Sequence, residues 1–170
     1  MALIPAKSIV RWTPHLLVGA GVVLDYGAGN LRNAVYLTNQ GGTVWAVDLP
    51  IQTERTKRKY PGRVGAVARY GVVDELQDST EYFSGAVCTY VLNILSQPEQ
   101  MKVLGLLQKR LIPGACLCIE VRRQTPKTSR NAFDSITLLN LTTAFGFRLE
   151  QAWAGSNWLA HRYVLEKILI

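Results

Sequence analysis

The sequence predicts a doubly wound α/β fold: a mostly parallel seven-stranded sheet with helices on both faces, closed by an antiparallel C-terminal hairpin. Two observations carry this. Apolar segments without strict alternation, as expected of strands buried on both faces, alternate with segments of helical period until about residue 145. After that, two strand-like segments follow each other across a Gly-Ser-Asn turn, with no room for a helix between them. At 170 residues the chain is expected to be one domain, 1–170, in which 1–20 leads into the first strand.

In order, the expected parallel strands are "GVVLDY", "GTVWAVD", a weaker "RVGAVARY", "SGAVCTYVL" and "GACLCIEV". After the first, "LRNAVYLTNQ" places Leu31, Ala34 and Val35 at helix spacing and stops at Gly41-Gly42. The clearest helix is "QPEQMKVLGLLQKRLIPG": Ser96 and Glu99 fit a capping box, Pro98 lies in the first turn, and Leu104, Leu107 and Leu111 form a stripe. A further helix is expected from about Ser129 to Phe145, stopped by Gly146. "GFRLEQAWAGS" and "WLAHRYVLEKI" make the hairpin.

Composition narrows the function classes. Apolar residues make up 48% and charged residues 18%, and no apolar run approaches the ~20 residues of a membrane span. The N-terminus lacks the succession of a signal peptide, so a cytoplasmic location is expected. Cys88, Cys116 and Cys118 show no metal-ligand spacing, and no metal is expected; Cys116 and Cys118 share one face of a strand as small core residues. The net charge of +7 gathers in two stretches. One holds Arg55, Lys57, Arg58, Lys59, Arg63 and Arg69; the other holds Arg122, Arg123, Lys127 and Arg130. Such clusters suit an anionic partner, and equally suit a solvated surface.

The chemistry-bearing stretch is "VVLDYGAGNLRN", residues 22–33, whose strand-to-helix turn is Asp25-Tyr26-Gly27-Ala28-Gly29-Asn30-Leu31. In a doubly wound sheet that turn lies beside the ligand, and glycines let backbone approach it. A dinucleotide motif would need Gly or Ala where Arg32 stands, and no Gly-Lys-Ser/Thr triplet makes a phosphate loop. Asp48, 23 residues after Asp25, ends the next strand, where an acid can accept from ribose hydroxyls. Adenosine without pyrophosphate points to S-adenosylmethionine.

These residues resemble the first two motifs of the class I S-adenosylmethionine-dependent methyltransferases. "YFSGAVCTYVLNIL" is similar to that family's fourth-strand motif, and "LLQKRLIPGACLCIEV" to its helix-to-strand turn, with Ala115 in place of the second glycine. The resemblance covers roughly residues 20 to 125 and implies the class I methyltransferase fold. It also implies that Gly27 and Gly29 flank the methionine part and Asp25 its amino group, while Asp48 holds the ribose and Leu49 borders the adenine. Leu31 stands where a third glycine is usual, and Asp74 is a candidate for the acid that meets the adenine amine, with Tyr70 nearby. Two narrower resemblances pull apart: "G-x-x-R-N-x-x-Y-L" looks like small tellurite-resistance-type methyltransferases, and "LDYGAG" with "YVLNIL" like methyltransferases found beside DNA phosphorothioation genes.

Methyl transfer from a sulfonium is a direct displacement that depends mainly on alignment, so no catalytic dyad is required. Tyr90 and Asn93 are candidates on the acceptor side, with core packing and helix capping as their bland readings, and Tyr90 borders the cofactor too. His15 could cover the pocket or act as base, although a lone histidine at a helix start is more often structural. No adjacent prolines and no Pro-Cys pair occur, which disfavours base-amine and cytosine-C5 methylation. The Arg122–Arg130 loop favours an anionic acceptor, either a small molecule or nucleic acid, and the basic stretch "RTKRKYPGR" after the second strand could flank the same rim. A partner protein or homodimer, a non-catalytic partner subunit of the same fold, and a nicotinamide oxidoreductase stay open.

Overall fold

A computed structural model of the chain describes residues 4–127 and 131–166. The elements in chain order are α1 (Lys7–Leu16), β1 (Val22–Tyr26), α2 (Arg32–Asn39), β2 (Thr43–Asp48), α3 (Pro50–Lys59), α4 (Pro61–Val64) and β3 (Arg69–Val72). They continue with α5 (Val73–Asp78), β4 (Phe83–Thr89), a short 3-10 turn at Leu92–Ile94, α6 (Gln97–Arg110) and β5 (Leu111–Arg122). The last are α7 (Ser135–Thr143), β6 (Phe147–Ala154) and β7 (Trp158–Leu165). The seven strands form one sheet in the order β3-β2-β1-β4-β5-β7-β6. β1 to β5 pair in parallel, and β7 runs antiparallel to β5 and β6, as the alternation and the closing hairpin predict.

Period two in the strands sorts side chains between two cores. Ile9, Trp12 and Leu16 of α1 and Ala34 and Leu37 of α2 pack on Val23, Val44, Ala46, Val87 and Cys118. Leu76 of α5, Val103, Leu104 and Leu107 of α6, and Leu138 of α7 pack on Leu24, Trp45, Ala86, Leu117 and Ile119 on the other face. The α6 start is as read: the Glu99 carboxylate accepts from the Ser96 backbone N–H at 2.8 Å and from its hydroxyl at 2.6 Å. Cys88, Cys116 and Cys118 are free and buried.

Four expectations are corrected. The stretch 63–70 is not one strand: Pro61 starts a short helix, Val64 and Val67 turn into the core beside α2, and pairing with β2 begins only at Arg69. The last helix starts at Ser135, because buried Phe133 is held in an extended bridge with Arg123 and the Asp134 carboxylate then caps α7 by accepting from Thr137 N–H at 2.8 Å. Residues 1–20 are more than a lead, since α1 packs across the sheet with Trp12 buried. Its last turn holds His15, so that residue ends a helix rather than starting one. The next residues, Leu16 and Leu17, back onto Gly85 and Gly42 near the amino ends of β4 and β2, which puts His15 at the end of the sheet away from the glycine turn.

Candidate functional site

The winding of the sheet reverses between β1 and β4, where Tyr26 lies beside Cys88. Beyond these carboxyl ends opens a cleft of about 380 Å³, within the range of small-molecule sites. Gly27, Ala28, Gly29 and Asn30 floor it, Thr89 and Tyr90 form one wall, and one face of α3 forms the other.

The floor owes its shape to backbone conformations that side chains resist. Gly27 has φ +71°, and a Cβ there would collide with Cγ2 of Val91. Leu31, in place of the usual third glycine, still adopts φ +65° and is fully buried among Ala28, Ala34 and Ile9. Asp48 pins this turn. One carboxylate oxygen accepts from Gly29 N–H at 2.6 Å and the other from Leu49 N–H at 2.7 Å. On its far side Gly29 presents its carbonyl to Thr56 Oγ1 at 2.8 Å and Gln52 Nε2 at 3.3 Å.

Asp25 lies beneath the floor, fully buried, and among the described residues neither carboxylate oxygen has a hydrogen bond of good geometry, the nearby Ala34 amide included. Burial pushes its carboxyl up to about 7, the Ala34 amide opposes this, the Asp48 charge adds to it and Arg32 opposes it. An uncompensated buried acid is costly and marks a place where positive charge is wanted.

Tyr90, directly after β4, has φ +59°, a strained region for an aromatic residue, and its N–H donates to the Glu120 carbonyl at 2.6 Å. Burial and the neighbouring Glu120 carboxylate push its phenol well above the ordinary value. Glu120, nearly fully buried on β5, accepts from Ser8 Oγ at 2.6 Å. Asn33 ties the start of α1 to β4: its Oδ1 accepts from Ala6 N–H at 2.9 Å and its Nδ2 donates to Thr89 Oγ1 at 2.9 Å. These two bridges carry the front of α1 to the cleft.

The expected site residues therefore divide. Gly27, Ala28, Gly29, Asn30 and Tyr90 line the cleft, with Asp25, Tyr26 and Asp48 immediately behind it. Leu49 is 60% exposed at the start of α3, and Asp74 is exposed in the first turn of α5; neither lines the cleft. Asn93 is buried in the 3-10 turn with Oδ1 unpartnered, off the cleft and capping no helix. Arg122 lies near Tyr90, Lys127 is exposed, and Arg130 lies outside the described residues. Arg123 instead donates to the Gly155 carbonyl at 2.9 Å and lines a second cleft of about 340 Å³ with Gln124 and Ser135. Behind that cleft Ser135 Oγ meets His161 Nε2 at 2.8 Å, and His161 Nδ1 meets the Tyr163 hydroxyl at 2.6 Å. Burial pushes His161 down to about 4.

Sequence reading missed Arg32, Asn33, Gln52 and Thr56 at the cleft, and Glu120 behind Tyr90, whereas the expected basic rim after the second strand does bring Arg55 and Lys59 to it. A signal existed for α3: after Pro50, positions 52, 55, 56 and 59 share one helix face. Among the described residues no cluster of His, Cys, Asp or Glu could hold a metal ion, and no helix is long and apolar enough to cross a membrane.

The overall fold is shared with solved structures. The chain has the class I methyltransferase fold. A TehB-like S-adenosylmethionine-dependent methyltransferase from Corynebacterium glutamicum is 20% identical and superposes with a TM-score of 0.72, over 95% of this chain and 89% of that one. The 1,6-didemethyltoxoflavin-N1-methyltransferase of Burkholderia thailandensis, solved with 1,6-didemethyltoxoflavin and S-adenosylhomocysteine, is 22% identical with a TM-score of 0.70, over 95% and 79%. Human N-acetylserotonin methyltransferase in complex with S-adenosylmethionine is 14% identical with a TM-score of 0.76, over 95% of this chain and 52% of that one. No family model matches the chain, and no curated protein does.

Proposed function

We propose that the chain is an S-adenosylmethionine-dependent methyltransferase acting on an anionic acceptor at the cleft between the ends of β1 and β4. The observation that carries this reading is Asp25, a buried carboxylate without a partner beneath a turn that has no room for a side chain at Gly27. A ligand with an ammonium group lying along that turn would supply the missing charge. Asp48, at the end of the next strand, lies where a ribose would sit, although each of its oxygens already accepts one backbone amide. S-adenosylmethionine brings an already activated methyl group on a sulfonium.

What remains for the protein is alignment. Gly27 and Gly29 admit the ligand close to the backbone, while Asp48, Gln52 and Thr56 keep that turn from shifting. Tyr90 offers a ring held by its strained backbone and a phenol, neutral near pH 7 as phenols ordinarily are, that burial and Glu120 shift further from ionisation. It therefore orients an acceptor and does not act as a base. The acceptor is a small molecule in this reading, and three free buried thiols suit a reducing cytoplasm.

A non-catalytic partner subunit is the second reading. It is favoured by Leu31 in place of a glycine and by the uptake of both Asp48 oxygens by backbone amides. Methyl-labelled S-adenosylmethionine, incubated with the protein and with nucleic-acid, protein and small-molecule fractions of a cell extract, separates the two. Label in the small-molecule fraction, lost with Asp48→Ala, supports the enzyme. Cofactor binding with no label in any fraction supports the subunit.

A further inference from the structure

One face of α3 is polar where a helix packed against a loop would ordinarily be apolar. Gln52, Arg55, Thr56 and Lys59 fall at positions i, i+3, i+4 and i+7, and all four line the cleft. Thr56 and Gln52 are committed to the Gly29 carbonyl. Arg55 and Lys59, one helical turn apart, have no carboxylate within ion-pair distance among the described residues, whereas Lys57 on the outer side pairs with Glu54 at 3.2 Å. The Lys59 ammonium lies 5.4 Å from the Tyr60 ring, whose face also carries the Arg63 guanidinium at 3.9 Å. Arg32 stands 5.9 Å from the Tyr90 ring and acts on Asp25.

The lining thus contains Arg32, Arg55 and Lys59 and no acid. If the donor proposed above binds here, it brings a sulfonium and an ammonium against one carboxylate, so its own charge is net positive. Asp25 and Asp48 lie behind the turn, and Arg32 is partly offset by Asp25. Among the described residues of the cleft lining no carboxylate offsets Arg55 and Lys59, and Lys59 meets only the Tyr60 ring. Arg55 and Lys59 are exposed on the cleft wall, and their charge opposes the donor, an imbalance that a second ligand carrying negative charge would remove.

We infer that Arg55 and Lys59 form a subsite for a doubly charged anionic group on the acceptor, a phosphate ester or a pair of carboxylates, and that filling it strengthens donor binding. Coupling of this kind is reciprocal: the donor must tighten the anion to the same degree. The subsite lies on α3, within the first of the two basic stretches in the sequence and not in the Arg122–Arg130 loop.

The inference rests on the methyltransferase reading, and calorimetric titration keeps the two apart. S-adenosylmethionine and S-adenosylhomocysteine are each titrated at constant ionic strength in chloride, in inorganic phosphate and in malonate. The expected result is about ten-fold tighter binding of S-adenosylmethionine in phosphate or malonate than in chloride, with a smaller gain for S-adenosylhomocysteine, which lacks the sulfonium charge. Phosphate and malonate differ in which dianion is preferred. In Arg55→Gln/Lys59→Gln the anion effect is expected to vanish, while S-adenosylmethionine binds more tightly in chloride than to the wild type because repulsion is gone. Damage to the fold could not produce that gain. Normal binding of S-adenosylhomocysteine with no effect of either dianion would overturn the subsite alone. Failure of a folded protein to bind either nucleoside would overturn the methyltransferase reading and the subsite with it.

Discussion

Leu31 sets two opposing costs against each other. A left-handed backbone costs a residue with a Cβ about 1–2 kcal/mol, while burying a leucine side chain gains about 1.5–3 kcal/mol and removing it leaves a cavity besides. Burial wins, so Leu31→Gly, although it restores a glycine where the family pattern has one, is expected to destabilise the protein by about 1–2 kcal/mol in urea unfolding. A stabilised variant would mean that strain dominates. At Gly27 both terms point the same way, and Gly27→Ala should lose S-adenosylhomocysteine binding because Val91 must move. Asp25 makes stability depend on pH. Its folded pKa, about 7, lies above the ordinary carboxylate value, so its contribution is fully present below about pH 4 and is lost as pH rises through 7. Asp25→Asn should therefore stabilise the ligand-free protein at pH 8, by roughly a few kcal/mol, and much less at pH 4. An equal effect at both pH values would contradict the assignment. Asp25, Gly27 and Asp48 were legible in the sequence because turn chemistry fixes residue type and spacing together. The unpartnered state of Asp25 was not legible, since it depends on which amides of α2 come within reach.

Among the elements, those read most surely are the ones whose pattern has a single physical meaning. α6 has its Ser96–Glu99 start and its buried Leu104–Leu107 stripe, and the hairpin has no room for anything else. The stretch 63–70 misled because Val64 and Val67 are apolar for packing beside α2 and not for pairing in the sheet, a distinction that local sequence does not carry. The charges of α3 were legible as a rim of the site, but its bonding to the turn was not, since only the fold sets Thr56 and Gln52 against the Gly29 carbonyl. α1 was taken as a lead, yet its first turn is bonded into the site through Ser8 and Glu120, both buried. A buried hydrogen bond to a charged group is worth about 1.5–3 kcal/mol, so Ser8→Ala should cost about that much in urea unfolding and loosen Tyr90. Unchanged stability would show that Glu120 finds another partner.

At the scale of the molecule, the net charge of +7 is not a uniform positive surface. Arg69 lies 3.7 Å over the Trp45 ring and pairs with Glu75 at 3.2 Å, Arg11 lies over Trp153 and Arg63 over Tyr60. Part of the basic excess is thus absorbed by aromatic faces and acids, while Arg55 and Lys59 stand at the cleft, where a ligand would meet them. Two helical layers also close over the thiols. Cys88 and Cys118 should resist Ellman's reagent in the folded protein and react in denaturant, and fast reaction of either would place it outside the core. The reversal between β1 and β4, the glycine turn and the buried acid belong together only if an adenosine-bearing, positively charged donor binds there. The most direct test is titration of the wild-type protein with S-adenosylhomocysteine and, separately, with NAD. One site for S-adenosylhomocysteine, none for NAD, and loss of binding in Gly27→Ala is the predicted result. A folded protein that ignores S-adenosylhomocysteine, or that prefers NAD, would contradict the account.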